Sequence, residues 1–370
     1  MKVEDLYSVF KFIASRKLKA LEKDDGWRSD WKEYHLRNLA SPYYEDVFVD
    51  EFREKQMKRG DLGRFRSTLE SLDFMLCWIF LGATPEDYFS MLFNRKGWLW
   101  RNHHVTKIRM RFLKRKFNQD SKSRNLLDDK ASFYRHWQEH LHRKWCIPNE
   151  ISFEEFEDKF KDVNSLIAKK RQGFGGKGII FFDMNEWDLR SVYDKIISET
   201  DDYIVEEYHS QTGWLHDVNP SSLNTIRVAT ISINGKTDVI FAYLRVGIEG
   251  AHADNLHSGG IRFPIDHHTG KILKGMNYQI CDVEAHPDSG IPLYGETIPK
   301  WDEIVEFCRN AHDLAPESLN LVGWDICLDE DDMFLIEGNS GPGFPPIDNP
   351  HDDWWRDMGN YLSQLEANNP

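Results

Sequence analysis

The sequence has few cysteines, and their spacing excludes several kinds of site. The five cysteines among 370 residues form no Cys-x-x-Cys pair, which argues against a disulfide framework or a cysteine-ligated metal and favours reduced, cytoplasmic thiols. Long apolar runs are also missing, because the longest, residues 74–81, is far shorter than the roughly 20 residues that span a bilayer. The first residues carry acids where a secretory signal would be basic, so we do not expect export.

Charge is distributed unevenly along the chain. The net charge of −14 combines a net of +8 over residues 1–150 with a net of −22 over the remaining 220 residues. A split of this kind predicts two regions with different roles, and the length likewise predicts more than one domain.

The basic part of the chain is most concentrated at residues 95–116, which contain nine Lys or Arg and no acid. Four interpretations stay open for this segment: a solvated helical face, a patch for an anionic membrane surface, a groove for a phosphorylated carrier, or a surface that packs the helical region onto the acidic part of the chain and offsets its charge. Nucleic acid is not an expected partner, because the acidic remainder of the protein would repel it.

Local patterns divide the chain into a mainly helical part and a mixed part. Up to about residue 120, apolar residues recur at three- and four-residue spacing, which predicts helices. From residue 151 onward, short runs of β-branched and aromatic residues alternate with turns, and Asn234-Gly235 between two of these runs is a strong hairpin signal. The pattern predicts an α+β fold with antiparallel sheets.

A glycine-rich segment is the first specific motif. Gly173, Gly175 and Gly178 match G-x-G-x-x-G, but the bulky residues 179–182 after them predict a strand, and a dinucleotide fold needs a helix there. A Walker A loop is excluded, because neither Lys-Ser nor Lys-Thr follows Gly178. What remains is a glycine loop between antiparallel strands, preceded by Lys169. It is either a cover for phosphates or a merely flexible hairpin.

Acidic residues near the end of the chain form the second motif. Glu337 and Asn339 are two residues apart in a predicted strand and therefore share one face. We expect Asp325, on the preceding predicted strand, to face Glu337. Three such oxygen ligands suit Mg²⁺ beside nucleotide phosphates, and a lone carboxylate in an apolar strand would be costly to bury. The acids of the intervening turn, residues 329–332, are interpreted as solvated.

The order of these motifs resembles the ATP-grasp superfamily: a lysine and glycine loop, a strand at residues 203–207, arginine-bearing strands, and then Asp…Glu-x-Asn. The nearest resemblance is to the sugar-transfer-associated ATP-grasp family, which is related to the α-L-glutamate ligases. It implies an ATP-grasp fold of two α+β subdomains over residues 125–370, with a hinge near residues 206–208. A mainly helical, basic region at residues 1–124 would precede this fold.

The resemblance also implies a set of ATP and metal contacts. Lys169 would bind the α- and β-phosphates, the glycine loop would cover them, and the hinge would hold adenine by backbone bonds and the ribose by a carboxylate. The implied ATP-binding residues are Lys130, Lys169, Gly173, Gly175, Gly176, Lys177, Gly178, Glu206, Glu207 and Tyr208. Lys170 stands where the superfamily usually has proline, so it stays open whether Lys169 or Lys170 faces the nucleotide. The implied Mg²⁺ ligands are Asp325, Glu337 and Asn339.

Two arginines and a glycine turn complete the implied site. By resemblance, Arg227 and Arg245 on neighbouring predicted strands would neutralise the transferred phosphoryl group. The alternative for each is a structural ion pair. The segment that follows is similar to the family's Asn…Gly-Gly turn, and its implied substrate contacts are Asn255, His257, Gly259 and Gly260.

These expectations favour an enzyme that uses ATP and Mg²⁺ as a carboxylate–amine ligase, in which ATP phosphorylates a carboxylate and an amine then forms the amide. The family name and the basic N-terminal region suggest a sugar acid, amino acid or saccharide carboxylate in cell-surface polysaccharide biosynthesis. They also suggest a cytoplasmic protein with peripheral membrane contact through residues 95–116. Two alternatives stay open: an ATP-grasp phosphotransferase acting on a hydroxyl, and a nucleotide-binding protein without turnover.

Overall fold

The N-terminal part of the chain is built from helices, as the apolar spacing predicts. The computed structural model describes residues 26–39, 42–57, 63–172, 178–248, 259–277, 282–346 and 352–368. The first helices within these ranges are α1 (Trp27–Leu39), α2 (Pro42–Met57), α3 (Gly63–Leu81), α4 (Pro85–Ser90), α5 (Trp98–Asn102) and α6 (Lys107–Phe117). Among the described residues, no helix is both long and apolar enough to cross a membrane.

Aromatic side chains form the core of this helical part. Phe52 of α2 stacks on Phe74 of α3 with ring centroids 4.5 Å apart, and Tyr88 of α4 packs edge-on against Phe74 at 5.4 Å. The short α4 begins with a capping box, in which Thr84 accepts from the Asp87 backbone and the Asp87 carboxylate accepts from the Thr84 backbone. These rings belong to a buried cluster distinct from those of the sheets.

A four-stranded antiparallel sheet follows two further helices, α7 (Ser121–Asp128) and α8 (Lys130–His136). Its strand order is β1-β4-β2-β3, and its strands are β1 (Trp145–Cys146), β2 (Ser165–Lys170), β3 (Ile180–Asp183) and β4 (Tyr203–Glu207). The helices α9 (Phe153–Phe160) and α10 (Leu189–Ile197) cover one side of the sheet with apolar side chains. The other side, which carries Lys169 and Glu206, belongs to the site described below.

A five-stranded antiparallel sheet forms the rest of the α+β fold, in the order β7-β6-β5-β8-β9. Its strands are β5 (Thr225–Ile233), β6 (Lys236–Val246), β7 (Ile261–Ile265), β8 (Leu321–Leu328) and β9 (Met333–Asn339), accompanied by α11 (Gly213–Val218), α12 (Trp301–Asp313) and α13 (Trp354–Asn368). The turn that joins β5 to β6 has positive φ at Asn234 (57°) and Gly235 (73°), so the predicted hairpin is confirmed.

Helix α6 attaches the helical part to the five-stranded sheet. Its apolar side chains share one buried cluster with β5 and β6: Phe112, Leu113 and Phe117 with Ile231 and Phe241. Its basic last turn forms three ion pairs: Lys114 with Asp128 at 3.3 Å, Arg115 with Asp30 at 2.8 Å, and Lys116 with Glu366 at 3.7 Å. The second half of the basic segment 95–116 is therefore engaged within the molecule.

Asn118, which ends α6, provides a test of this attachment. Its buried side chain donates to the carbonyls of Leu321 (2.7 Å) and Ser340 (2.9 Å) and accepts from the Leu321 N–H (3.0 Å). Asn118→Ala would leave these buried backbone groups unpaired, so we expect the free energy of unfolding to fall by about 2 to 4 kcal/mol. Urea unfolding measures this change in the free energy of unfolding. Gln119→Ala, which removes one exposed local hydrogen bond, is the matched control. Equal stability of the two variants would contradict the expectation.

Candidate active site

Strand register brings predicted site residues into one row on the five-stranded sheet. Arg227 of β5 lies opposite Asp325 of β8, and Asp325 lies opposite Glu337 of β9, as expected. Asn339, two residues after Glu337, shares its face of the strand. Asn339 Nδ2 lies 3.4 Å from Glu337 Oε1. These four residues therefore occupy adjoining positions on three adjacent strands.

Asp325 is completely buried and is held by two arginines. Arg227 donates through Nε to Oδ1 and through Nη2 to Oδ2 at 2.7 Å, and Arg245 Nη2 lies 2.6 Å from the same Oδ2. Burial alone would raise the pKa of Asp325, but the charges of Arg227 and Arg245 outweigh burial and lower that pKa to about 2. Asp325 is therefore ionised at neutral pH. Both arginines form the ion pairs that the sequence left as the alternative to phosphoryl contacts.

The pKa of Glu337 is shifted in the opposite direction from that of Asp325. Burial and the adjacent charge of Asp325 raise its pKa, and a hydrogen bond joins the two carboxyl groups. Two carboxyl groups in contact inside a protein, with the Asn339 amide beside them, are a donor set that a divalent cation would stabilise in the ionised form. The residues therefore fit a Mg²⁺ site with Asp325, Glu337 and Asn339 as ligands.

The four-stranded sheet contributes a second buried network, centred on Glu206. Lys169 Nζ forms an ion pair with one of its carboxylate oxygens, and Tyr134 Oη (2.5 Å) and Arg143 Nε (2.8 Å) donate to the other. Burial would raise the pKa of Glu206, but the charges of Arg143 and Lys169 prevail and lower it to about 2. Glu206 is thus a fixed anion that orients Lys169.

The structure decides which lysine faces the site. Lys169 and Lys170 are consecutive on β2 and point to opposite faces of the sheet. Lys170 Nζ lies 2.5 Å from Asp201 on the exposed side, whereas Lys169 joins the interior network. Lys130, at the start of α8, is partly buried. Burial lowers the pKa of Lys130. The charge of Glu337 raises this pKa, and the like charge of Lys169 lowers it. Lys130 therefore stands close to both sheets.

The hinge makes two contacts that differ from expectation. The Glu206 carboxylate is enclosed by its three partners, so it is not open to a ribose. The backbone N–H groups of Glu207 and Tyr208 donate to the carbonyls of Lys144 and Ser165, both at 2.9 Å, because β4 continues its pairing to this point. They are therefore not free to bond adenine, and the sequence-based assignment of hinge contacts is corrected in these respects.

An exposed aromatic pair lies on the inner face of the four-stranded sheet. Phe181 of β3 stands opposite Ile167, which stands opposite Glu206, so Phe181 shares the face of Glu206. Its ring lies 5.0 Å from that of Tyr208, and the two residues are 51 % and 41 % exposed. Sequence reasoning missed Phe181, although its strand directly follows the glycine loop. It also missed Arg143, which lies in no motif.

The turn between β8 and β9 was expected to be solvated, but two of its acidic side chains lie within ion-pair distance of histidines. Asp329 lies 2.6 Å from Nε2 of His209, one residue beyond the hinge, and accepts from the Thr212 N–H at 2.9 Å. Asp332 lies 2.9 Å from Nδ1 of His142. The turn therefore packs against the hinge and the segment before β1.

Some predicted residues lie outside the part of the chain that the structure describes: Gly173, Gly175, Gly176, Lys177, Asn255 and His257. Gly178 closes the glycine segment with φ of 74°, a conformation that favours glycine. Gly259 and Gly260 lie directly before β7, where Asn277 Nδ2 donates to the Gly259 carbonyl at 3.1 Å. The predicted residues that the structure brings together are Lys130, Lys169, Glu206, Arg227, Arg245, Asp325, Glu337 and Asn339.

Two antiparallel sheets, one carrying the lysines and the other the carboxylate pair, define an ATP-grasp fold. The chain belongs to the sugar-transfer associated ATP-grasp family, whose model matches residues 108–351, about two thirds of the sequence. A search of curated protein sequences returned no match.

Solved structures with the ATP-grasp fold resemble the chain at low sequence identity. D-alanyl-alanine synthetase A from Vibrio cholerae is 12 % identical, with a TM-score of 0.39 over 66 % of this chain and 66 % of that one. L-amino acid ligase from Bacillus licheniformis is 11 % identical (TM-score 0.37, 66 % and 51 %). N5-carboxyaminoimidazole synthase from Aspergillus clavatus is 9 % identical (TM-score 0.37, 59 % and 45 %). The chain thus spans about half to two thirds of the length of these proteins.

The lowered pKa of Glu206 predicts a specific pH dependence of stability. The pKa falls from an ordinary value of 4.5 to about 2 on folding, so the unfolded state binds more protons between these values. The stabilisation is therefore complete above pH 4.5 and is lost as the pH falls toward 2. We expect Glu206→Gln to lower the free energy of unfolding by about 3 kcal/mol or more at pH 7, because it leaves buried cations without their partner.

The loss in Glu206→Gln should shrink as the pH falls from 4.5 toward 3, which urea unfolding at several pH values would measure. Glu303→Gln, at an exposed position of α12, is the control and should follow the wild type throughout. A Glu206→Gln loss that does not depend on pH would contradict this assignment.

Proposed function

We propose that this chain is an ATP-dependent carboxylate–amine ligase that uses Mg²⁺. The observation that carries the proposal is the buried group in which Asp325 and Glu337 lie side by side while Arg227 and Arg245 bond Asp325. Carboxylates suited to a metal and arginines suited to developing phosphate charge are the parts that phosphoryl transfer requires. Membership of the ATP-grasp family supports ATP as the phosphoryl donor.

The nucleotide would lie between the two sheets. Burial would lower the pKa of Lys169, but the charge of Glu206 raises it, so Lys169 stays protonated and can bind phosphate. Lys130 would bind the phosphates from the side of α8, and the glycine loop at residues 173–178 would cover them. The Phe181 and Tyr208 rings would flank the adenine, which suits their exposure on the inner face.

Asp325, Glu337 and Asn339 would hold Mg²⁺. When bound, the ion would neutralise charge that develops on the phosphate oxygens. Glu337 would bind the ion in its ionised form, because only the ionised carboxylate is a strong ligand. With Glu337 ionised, two carboxylates would balance the charges of Arg227 and Arg245, and each arginine could then donate its remaining N–H groups to the transferred phosphoryl group.

The chemistry would run in two displacements. A substrate carboxylate oxygen attacks the γ-phosphorus, the bond from this phosphorus to the bridging oxygen of ADP breaks, and an acyl phosphate forms. An amine nitrogen then attacks the acyl carbon, phosphate leaves with the bonding electron pair, and the nitrogen loses a proton to give the amide. Arg227 and Arg245 would stabilise the charge on the phosphoryl group and then on the tetrahedral intermediate.

The substrates would be a small-molecule or saccharide carboxylate and an amine. The family name supports a sugar acid or amino acid used in cell-surface polysaccharide assembly. This support is an association at the level of the family.

A phosphotransferase that acts on a hydroxyl is the main rival, because it would use the same metal and arginine groups. The two reactions differ in product, an amide or a phosphoester. A nucleotide-binding protein without turnover would need no arginines at the phosphoryl position, so Arg227 and Arg245 argue against it.

A screen for ADP release over pooled carboxylates and amines, followed by mass spectrometry of the product, tests the proposal. We expect an amide, free phosphate and ADP in equal amounts. Glu337→Gln should lower the rate by about a hundredfold or more, because it removes one ligand charge. Its fold should persist, since Gln is close in shape to Glu. Glu317→Gln, at an exposed position, is the control. A phosphoester product, or full activity of Glu337→Gln, would overturn the assignment.

We also propose peripheral contact with an anionic membrane, through the first half of segment 95–116 together with α3. Trp98 and Leu99 of α5 are 42 % and 81 % exposed, and the Phe80 ring of α3 lies 6.0 Å from Trp98. Further exposed apolar residues continue the stripe along α3: Phe65, Leu69 and Leu76. Arg95 and Lys96 are exposed directly beside Trp98. Basic groups next to exposed rings complement anionic lipid headgroups.

Sedimentation with vesicles tests this surface. At low salt, vesicles containing one third phosphatidylglycerol should retain the wild type, and pure phosphatidylcholine should not. Trp98→Ser with Leu99→Ser should weaken retention by about tenfold or more, because two apolar side chains no longer enter the interface. Leu314→Ser, which changes an exposed leucine at the end of α12, should leave it unchanged. Failure of anionic vesicles to retain the wild type would exclude a membrane and leave a protein or carrier partner for this surface.

A further inference from the structure

A third arginine lies on the same face of the five-stranded sheet as Arg227 and Arg245. Arg262 of β7 stands opposite Arg245 of β6, and Tyr243, two residues before Arg245, stands opposite Arg227 of β5. Because side chains on a strand alternate, all four residues point to the face that carries Asp325. Neither the sequence motifs nor the proposed reaction uses Arg262.

The guanidinium of Arg262 differs from those of its two neighbours in having no acidic partner among the residues that the structure describes. Arg227 and Arg245 both bond Asp325. In the described ranges, no carboxylate lies within ion-pair distance of Arg262. Its Cζ lies 4.6 Å from the centre of the Tyr243 ring, and its buried Nε has no hydrogen-bond partner. A cation with a buried N–H left unpaired is costly unless a ligand completes its bonding.

The position of Arg262 separates it from the reacting centre. The carboxylate pair lies on β8 and β9, and the Arg245 side chain leans over β5, where its Nε donates to Thr225 Oγ1 at 2.9 Å. Arg262 lies on β7, three strands from β8 in the sheet order, which is roughly 14 Å between backbones. A carboxylate that accepts the phosphoryl group must be near β5 and β8. Arg262 is placed for a different group of the same molecule.

The predicted substrate turn adjoins this position. Gly259 and Gly260 come three and two residues before Arg262, respectively, and the Asn277 side chain donates to the Gly259 carbonyl at 3.1 Å. The Arg262 N–H donates to the Met276 carbonyl at 2.9 Å, which anchors the start of β7. The arginine therefore lies on a hydrogen-bonded strand next to the predicted substrate turn.

We infer that Arg262 binds a second, non-reacting anionic group of the substrate, so that the molecule whose carboxylate is phosphorylated is a dianion such as a dicarboxylic acid. This inference rests on the proposed ligase function. Arg227 and Arg245 would contact the substrate carboxylate that is phosphorylated. Arg262, which packs against Tyr243, would bind the anionic group at the other end of the substrate. The planar fork of arginine suits a carboxylate through two parallel hydrogen bonds.

Ligand-observed NMR with ADP·Mg²⁺ present tests the inference, with succinate, glutarate and adipate as probes and their monoamides as matched neutral-ended partners. The wild type should bind at least one diacid about tenfold or more tightly than its monoamide. Arg262→Gln should lose this preference, and Arg262→Lys should keep part of it. Arg309→Gln, on an exposed part of α12, should behave as wild type. Binding of ADP·Mg²⁺ should be equal in all four proteins.

The outcomes separate this inference from the proposed function. If ADP·Mg²⁺ binds normally but no diacid is preferred, or if Arg262→Gln keeps the preference, the assignment of Arg262 is overturned and the ligase proposal stands. If the wild type does not bind ADP·Mg²⁺, the proposed function fails and the substrate assignment fails with it. A merely structural role of Arg262, through its contact with Tyr243, would lower the thermal midpoint of Arg262→Gln and leave the diacid preference intact.

Discussion

The buried carboxylate of Asp325 is the constraint on which the rest of the five-stranded sheet depends. An ionised group with no solvent exposure is stable only with its partners in place, and these come from two other strands, as Arg227 of β5 and Arg245 of β6. A slip of one residue in either strand would turn its arginine to the opposite face. The same ion pairs therefore favour one register of three strands and hold the two arginines in the positions from which, under the proposed function, they would contact the phosphoryl group.

A second fixed anion links the two sheets. Arg143 donates to Glu206 on β4 and, through Nη1, to the Leu335 carbonyl on β9 at 2.7 Å. Its guanidinium also lies 5.6 Å from the centre of the Phe334 ring. β9 is the strand that carries Glu337, so the sheet that carries Lys169 and the sheet that carries the carboxylate pair meet at one arginine.

Features that depend on residues close together in the sequence could be predicted, whereas features that depend on residues far apart in the sequence could not. The hairpin at Asn234 depends on turn chemistry, and the facing of Asp325 and Glu337 depends on strand alternation. Both are local properties that can be identified from the amino-acid sequence. The partners of Glu206 are not local: Arg143 is 63 residues away, and its contact depends on how β1 is placed at the sheet edge. The same holds for Phe181, whose face is known only once β3 is paired with β2. The sequence therefore predicted the fold class and the facing of Asp325 and Glu337, and erred over the backbone N–H groups of the hinge.

The charges on the five-stranded sheet also bear on the choice of substrate. From β9 to β7 they change from Glu337, whose pKa is raised by burial and by Asp325, through the anionic Asp325, to three arginines, within a part of the chain whose net charge is −22. A cationic stripe inside an acidic body attracts small anions that fit the cleft, while the outer surface repels large polyanions. This arrangement agrees with the proposed compact dianion beside ATP. Selectivity would then come as much from the acidic surroundings as from the arginines themselves.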